Sequence, residues 1–310
     1  MRKIPIIVVS GPTASGKTAL AIALAKKFNA EVISADSMQI YKEMDIGTAK
    51  PTTAEMDGIV HHMIDIIEPS ESFSVADFVK KSHTVAEDIT NRGKTVILAG
   101  GTGLYIDSFL KDIDFDEEQN SYVREELEKR LQKDGIEGIL EELKRVDSVS
   151  YERLHPNNTK RILRAVEFYR LHNIPISEYQ KKTQQKESRY VCINFLINHD
   201  REVLRNRIDK RVDIMMETGL LEEAKKLWDK KELLSDTAKM AIGYKELFGY
   251  FEGNKTIEEA TNELKTRSKQ YAKRQMTWFK RNRNIHFLNP ETAIDDAIIL
   301  TEKFLKENTK

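Results

Sequence analysis

Ile6-Ile-Val-Val9, followed by Gly11-Pro-Thr-Ala-Ser-Gly16-Lys17-Thr18, is the stretch that decides the architecture. Four β-branched residues in a row form the apolar run expected of a strand buried on both faces of a parallel sheet. Pro5 fits only at the entrance of that strand. The next eight residues match GxxxxGK[ST] and open a helix over 17–28, on which Leu20, Leu24 and Phe28 recur four apart. Strand, glycine turn and helix N-terminus together make a phosphate cradle. The glycines let backbone N–H groups turn inward, and the helix end adds roughly half a positive charge. Gly11, Pro12, Thr13, Ala14, Ser15, Gly16, Lys17 and Thr18 are therefore candidate phosphate ligands, with Lys17 on the outermost phosphate and Thr18 on Mg²⁺. The motif specifies a di- or triphosphate and no more. The same cradle can serve ATP-dependent phosphoryl transfer or hold a diphosphate that is itself a leaving group.

Outward from this stretch, strands are expected at 31–34 and 95–99, with a helix between them opened by the capping box Ser74-Val-Ala-Asp77 and stopped by Gly93. Alternating strands and helices over a hundred residues specify a P-loop kinase-like parallel α/β sheet flanked by helices. From Asp112 the composition changes to charged, helix-favouring segments (121–133, 136–146, 160–172) with no strand between them. Residues 114–188 are expected to form a helical insertion, and 1–113 plus 189–310 the P-loop catalytic core. The sheet resumes at 190–197, long amphipathic helices follow at 201–216, 220–231 and 256–281, and a last strand is expected at 285–288. Cys192 falls in the apolar 190–197 run, and Met215-Met216 are expected in a core.

The chain has 310 residues, 50 basic and 50 acidic, and 40% are apolar, enough for a sizeable core. The neutral total excludes a uniformly basic coat protein but conceals polarity. Residues 112–152 carry 14 acids against 6 bases, whereas 158–211 carry 13 bases against 6 acids. A single cysteine excludes a disulfide framework and a Cys-based zinc site, so no zinc is expected. The longest N-terminal apolar stretch, 4–9, is too short for a leader or a membrane span, and a cytoplasmic protein is expected.

Further candidates sit where open parallel sheets place their ligands, at the carboxyl ends of the strands. Asp36 could act as general base or outer Mg²⁺ ligand, or merely cap a turn. Gly100-Gly-Thr-Gly103 permits close approach of a ligand, and Thr102 offers a hydroxyl, but a plain strand-to-helix turn reads the same way. Arg207 and Arg211 share a helix face and could close over a diphosphate, although such pairs are ordinarily solvated. His61-His62 has no partner at metal-ligand spacing and reads as structural. The helix over 256–281 interleaves bases with Tyr271, Trp278 and Phe279, a pattern suited to RNA or to a core-packed face with a solvated side.

Taken together, these strings resemble the bacterial tRNA dimethylallyltransferases. The matching stretches are Gly11–Thr18, Ile33-Ser-Ala-Asp-Ser-Met-Gln-Ile-Tyr41, Asp45-Ile-Gly-Thr-Ala-Lys-Pro51, His62–Pro69 and Gly100-Gly-Thr-Gly-Leu-Tyr105. Further on come His155-Pro-Asn157 with Arg161 to Arg164, Ile242-Gly-Tyr-Lys-Glu246 and Lys273-Arg-Gln-Met-Thr-Trp278, so nearly the whole chain is covered. The resemblance implies transfer of a dimethylallyl group from dimethylallyl diphosphate to N6 of the adenosine 3′ of the anticodon, at tRNA position 37. It implies a P-loop that holds the donor diphosphate, although the motif alone reads as ATP-binding. It places Lys17, Asp36, Thr102 and Arg207 or Arg211 in the catalytic site, with Mg²⁺ on Thr18. It assigns contact with the tRNA anticodon stem-loop to Asp36, Ser37, Met38, Gln39, Thr102, Arg124, Lys160, Arg161, Ile162, Leu163, Arg164, Ile242, Gly243, Tyr244, Lys245 and Glu246. A monomer with no membrane partner is expected. The competing readings are a dimethylallyltransferase acting on free adenylate, which would not need the 114–188 insertion, a P-loop small-molecule kinase, and a non-catalytic RNA-binding NTPase switch.

Overall fold

The computed structural model describes residues 3–113, 121–185, 187–282 and 284–308. Strands β1 (Ile4–Ser10), β2 (Ala30–Ser34), β3 (His61–His62), β4 (Thr95–Gly100), β5 (Tyr190–Ile197) and β6 (Ile285–Leu288) form one sheet in the order β3-β2-β4-β1-β5-β6. Every neighbouring pair is parallel. Parallel strands are covered on both faces, and accordingly Ile6, Ile7, Val8 and Val9 are fully buried. On one face, Ile7, Val9 and Phe195 pack with Leu20 and Leu24 of the Lys17–Lys27 helix and with Ala293 and Ala297 of the Ala293–Asn308 helix. The helices Val75–Asn91 and Gly103–Leu110 bury Phe78, Ile89 and Phe109, and Phe78 stacks on Tyr105 at 4.2 Å. The expected capping box is formed, Ser74 and Asp77 each accepting from the other's backbone N–H, and Gly93 stops that helix at φ 71°. Pro5 lies one residue inside β1, opposite Val191. His61 and His62 are β3, and the His62 ring bonds Glu31 at 2.7 Å.

Strand register positions the site. Ser10 pairs with Gly100 and Ser34 with Ala99, so β1, β2 and β4 end at the same level. The three loops that follow begin side by side, and the Ala35 N–H continues the ladder to the Ala99 carbonyl at 2.8 Å. Gly100 is obligatory here, because a Cβ would lie 2.2 Å from the Ala35 oxygen.

Two compact units result, Met1–Asp112 with Ser188–Lys310, and Ile113–Glu187. In the first, the chain leaves and returns at adjacent points: Ser188 Oγ donates to the Leu110 carbonyl at 2.6 Å and Arg189 pairs with Asp112 at 3.0 Å. A satellite core in the same unit gathers Ile40, Tyr41, Met44, Leu220, Ala224, Tyr244 and Leu264, with Met215 and Met216 packed against it. The second unit is helical. Ser121–Asp134, Glu137–Val146 and Thr159–His172 enclose Leu127, Ile139, Leu143, Ile162, Leu163 and Val166. Much of its charge is satisfied internally, Glu142 taking both Arg130 and Arg170. Residues 114–120 and 186, where the insertion is expected to begin and end, lie outside the described residues.

Candidate active site

The loop after β1 is built to face an anion. Gly11, Ala14 and Gly16 take φ of 153°, 62° and 91°, turning the backbone about the loop. Gly16 stands at the N-cap of the Lys17–Lys27 helix and supplies no side-chain cap, which leaves first-turn N–H groups open. The Ser15 hydroxyl is buried with no hydrogen-bond partner among the described residues, an unmet donor that a phosphate oxygen would satisfy.

Side chains from distant segments hold this loop. Arg207 Nε donates to the Ala14 carbonyl at 2.8 Å, and Arg211 Nη1 to Thr13 Oγ1 at 3.1 Å. Both project from the Arg201–Glu217 helix, so the arginine pair does not lie idle in solvent. His199 bonds the Ser15 carbonyl at 2.9 Å. Gln275, on the Ile257–Phe279 helix, accepts from the Thr13 N–H at 3.1 Å and donates to the Gly101 carbonyl at 2.9 Å. It thereby ties the phosphate loop to the glycine turn after β4, and a Cβ on Gly101 would lie 2.3 Å from its amide nitrogen.

Lys17, Thr18, Ser34, Asp36, Gln39, Pro51 and His61 line one pocket. Burial pushes the Lys17 ammonium down to about 8, against the pull of Asp36 and with a smaller push from Arg211. Among the described residues its one hydrogen bond is a long one to the Pro12 carbonyl, 3.5 Å. Burial likewise holds the Arg211 guanidinium below its ordinary value. A diphosphate would relieve both costs. Asp36 Oδ1 accepts from the backbone N–H of Met38 at 2.9 Å and of Gln39 at 3.4 Å, so the carboxylate does cap a turn, while Oδ2 is uncommitted among the described residues. Thr102 Oγ1 accepts from the Ser37 N–H at 3.0 Å, placing the glycine-turn hydroxyl beside the Asp36 loop. Burial raises the Tyr271 phenol to about 12, with Asp36 adding to the rise and Thr102 opposing it. Thr18, Ser34 and Asp36 contribute hard oxygens to the pocket, a donor set suited to Mg²⁺, which takes few protein ligands and completes its shell with water and substrate phosphates. β4, in the position where P-loop NTPases carry the Walker-B aspartate, reads Thr95-Val-Ile-Leu-Ala-Gly100 and holds no acid.

Several residues expected to meet RNA are buried or have partners within the protein. Ile162 and Leu163 are buried in the core of the second unit, because the helix that carries them needs an apolar stripe; Lys160 and Arg161 are its exposed neighbours. Arg124 and Arg164 both approach the buried Glu167, at 3.8 and 3.2 Å. Tyr244 is wholly buried, Gly243 is held at φ 109°, and buried Glu246 accepts from the Gly243 N–H at 2.9 Å. Of that string only Lys245 is exposed and Ile242 half-buried. The Gln39 amide donates to the Thr48 and Ala49 carbonyls and accepts from Ser34. On the Ile257–Phe279 helix, Phe279 is core, Trp278 Nε1 donates to Asp107 at 3.0 Å, and Lys265 and Lys269 pair with Asp213 and Asp209. Phe279 and Trp278 are therefore held against protein rather than laid out as a stacking platform. Gln275 and His199 have no role legible in the sequence, where Tyr271 stands out only as an aromatic of the basic helix. Gln275 does fall within the Lys273–Trp278 string, but nothing in its spacing reveals a link to residues 13 and 101.

The IPP transferase family matches residues 39–282. The chain is 44% identical over 303 residues to a Bacillus subtilis protein called tRNA dimethylallyltransferase, covering 97% of this chain and 96% of that one. It is 46% identical over 295 residues to a protein of the same name from Oceanobacillus iheyensis, covering 95% and 94%. Among solved structures, the tRNA isopentenylpyrophosphate transferase of Bacillus halodurans is 39% identical with a TM-score of 0.74, covering 99% of this chain and 98% of that one. A eukaryotic dimethylallyltransferase acting on tRNA is 29% identical with a TM-score of 0.87, covering 98% and 80%. Likeness of this extent reaches from the phosphate loop through the helix that braces it, and the chain belongs to the IPP transferase family.

Proposed function

We propose that this protein transfers the dimethylallyl group of dimethylallyl diphosphate to N6 of the adenosine following the anticodon, position 37 of tRNA. The observation that carries the reading is one pocket bordered by Lys17 and Thr18 of an anion-binding loop and by the Asp36 carboxylate. A leaving-group site and a proton acceptor are thereby brought to the same place. The names of the relatives support it, and so does the strand neighbouring β1, which carries no acid of the kind phosphoryl transfer uses.

In this reading the allylic C1–O bond breaks, its electron pair leaves with the diphosphate, and the N6 lone pair forms the new C1–N bond. The N6 proton passes to Asp36 Oδ2 and on to solvent. First-turn N–H groups, Ser15, Lys17, Arg211 and Arg207 stabilise the departing charge, a contribution of several kcal/mol. Mg²⁺ bound at Thr18 would neutralise part of the diphosphate charge. Thr102, fixed by Ser37, positions the amine beside Asp36. Entry of the base requires it to leave the anticodon stack at a cost of a few kcal/mol. Phosphate contacts from Lys160, Arg161, Arg164 and Arg124 would offset that cost.

Mass spectrometry of tRNA incubated with protein, Mg²⁺ and dimethylallyl diphosphate tests this. One added five-carbon unit on the anticodon loop is expected, and Asp36→Asn is expected to lower turnover roughly 10²–10⁴-fold with tRNA binding retained. Absence of added mass, or obligatory consumption of ATP, overturns the reading.

A further inference from the structure

Two of the strings that carry the resemblance, Asp45–Pro51 and Ile242–Glu246, meet at a residue that belongs to neither. Glu223 lies on the Leu220–Asp229 helix. Its Oε2 accepts from the backbone N–H groups of Asp45 at 3.1 Å and Ile46 at 2.9 Å. Its Oε1 accepts from the Gly47 N–H at 3.0 Å and from the Tyr244 hydroxyl at 2.6 Å. Four donors thus converge on one carboxylate, three of them successive N–H groups of the 45–47 loop.

The surroundings leave that loop one place to sit. A Cβ on Gly47 would lie 2.5 Å from the Tyr244 ring, and one on Gly243 would lie 3.1 Å from the Gly47 oxygen. Lys50, almost wholly buried, donates to the Tyr41 carbonyl at 2.8 Å and pairs with Asp45 and Asp65. The pinned loop then acts on the pocket. The Thr48 and Ala49 carbonyls take the two protons of the Gln39 amide, at 3.4 and 3.2 Å. The Gln39 side chain accepts from Ser34 at 3.1 Å, and its backbone N–H donates to Asp36. Pro51, at the end of the same loop, lines the pocket beside Lys17 and Asp36.

We propose that Glu223 is a positioning residue for the transfer reaction, setting the place of Asp36 through the 45–49 loop and Gln39. The inference rests on the transferase reading above. It assigns Gly243 and Tyr244 to scaffolding of the pocket wall rather than to reading RNA. A carboxylate suits the site because an amide in its place would turn an N–H₂ group toward at least one backbone N–H donor whichever way it flips.

The test is steady-state and single-turnover prenylation of tRNA by the full chain, comparing wild type, Glu223→Gln, Tyr244→Phe, Gln39→Met and the double variant Glu223→Gln/Gln39→Met, with melting temperature followed throughout. A displacement on the order of 1 Å at a reacting group costs about a hundredfold. Glu223→Gln is therefore expected to lower the single-turnover rate ten- to a hundredfold, with KM for dimethylallyl diphosphate within about twofold of wild type. Tyr244→Phe, which removes one of four donors, is expected to have a smaller effect of the same kind, and it carries the test if Glu223→Gln does not fold. Because Glu223 and Gln39 act in series, the double variant is expected to be no slower than the slower single variant. An unchanged rate in Glu223→Gln, a rise in KM alone, or rate losses that multiply in the double variant overturns the proposal. A wild type that adds no prenyl group overturns the transferase reading itself, and is thereby told apart from failure of the Glu223 proposal.

Discussion

Replacing Lys17 by methionine should make the ligand-free protein more stable while removing its grip on diphosphate. The half-buried Lys17 side chain has, among the described residues, one long hydrogen bond, to Pro12. Burial lowers it from 10.5 to about 8, which corresponds to about 3 kcal/mol of cost for keeping the charge in the folded state at neutral pH. The pocket admits water, so that figure is an upper bound and about 1–3 kcal/mol is expected. At roughly 2–4 °C per kcal/mol for a domain of this size, Lys17→Met should melt about 2–12 °C above wild type without ligand. The pH dependence carries the same signature. The folded-state value lies below the unfolded one, so the unfolded chain binds more protons between about 8 and 10.5, and wild-type stability gains a rising contribution across that window. Lys17→Met should lack that contribution. Added inorganic diphosphate with Mg²⁺ should raise the wild-type melting temperature and leave the variant unmoved. Thermal melts from pH 7 to 10.5, with and without diphosphate, decide the matter. A variant that melts at or below wild type, and follows the same pH slope, refutes the claim that this charge is held at a cost for binding.

Two further outcomes are expected. Gly103→Ala would set a Cβ 2.3 Å from Cδ1 of the Trp278 ring, so the ring must shift away from Asp107; urea unfolding should show about 1–3 kcal/mol of destabilisation and Trp fluorescence a shift toward the red. Glu31 is buried and accepts from Arg92, Lys94 and His62, with the Arg92 bonds foremost in holding its carboxyl far below the usual value. Glu31→Gln should cost about 1–3 kcal/mol near pH 7. Because the folded value is depressed, the wild-type advantage is full above about 4.5 and should shrink as pH falls below it, which denaturation at pH 7 and pH 3 will measure.

The anion loop is legible in the sequence because its physics is local: a strand, two glycines and a helix start lie within a dozen residues. Asp36 and Thr102 are legible as candidates because both follow β-rich runs, but their meeting depends on Ser10, Gly100, Ser34 and Ala99 ending at one level, a register no spacing reveals. Arg207 and Arg211 announce a shared helix face; that the face meets the loop at Thr13 and Ala14 is tertiary information. The aromatic positions of the last long basic helix show the opposite limit. Tyr271, Trp278 and Phe279 beside lysines and arginines write the same string for an RNA platform and for a packed face; packing takes Phe279 and holds Trp278 on Asp107, with Tyr271 half-buried. Ile162, Leu163, Tyr244 and Glu246 go the same way, since a resemblance marks a string without saying which of its side chains turn inward. Strand β3, only His61 and His62, is too short to leave a periodic signal.

The junction at Leu110, Asp112, Ser188 and Arg189 has an evolutionary consequence. Where a polypeptide departs from a folded body and re-enters it a hydrogen bond away, the length of the excursion is nearly free, since the entropy of closing it grows only logarithmically. The segment bounded by that neck can therefore lengthen, shorten or change its surface charge from lineage to lineage while the diphosphate cradle keeps its shape. Change in that segment and constancy of the phosphate-loop core can proceed on separate stretches of one gene.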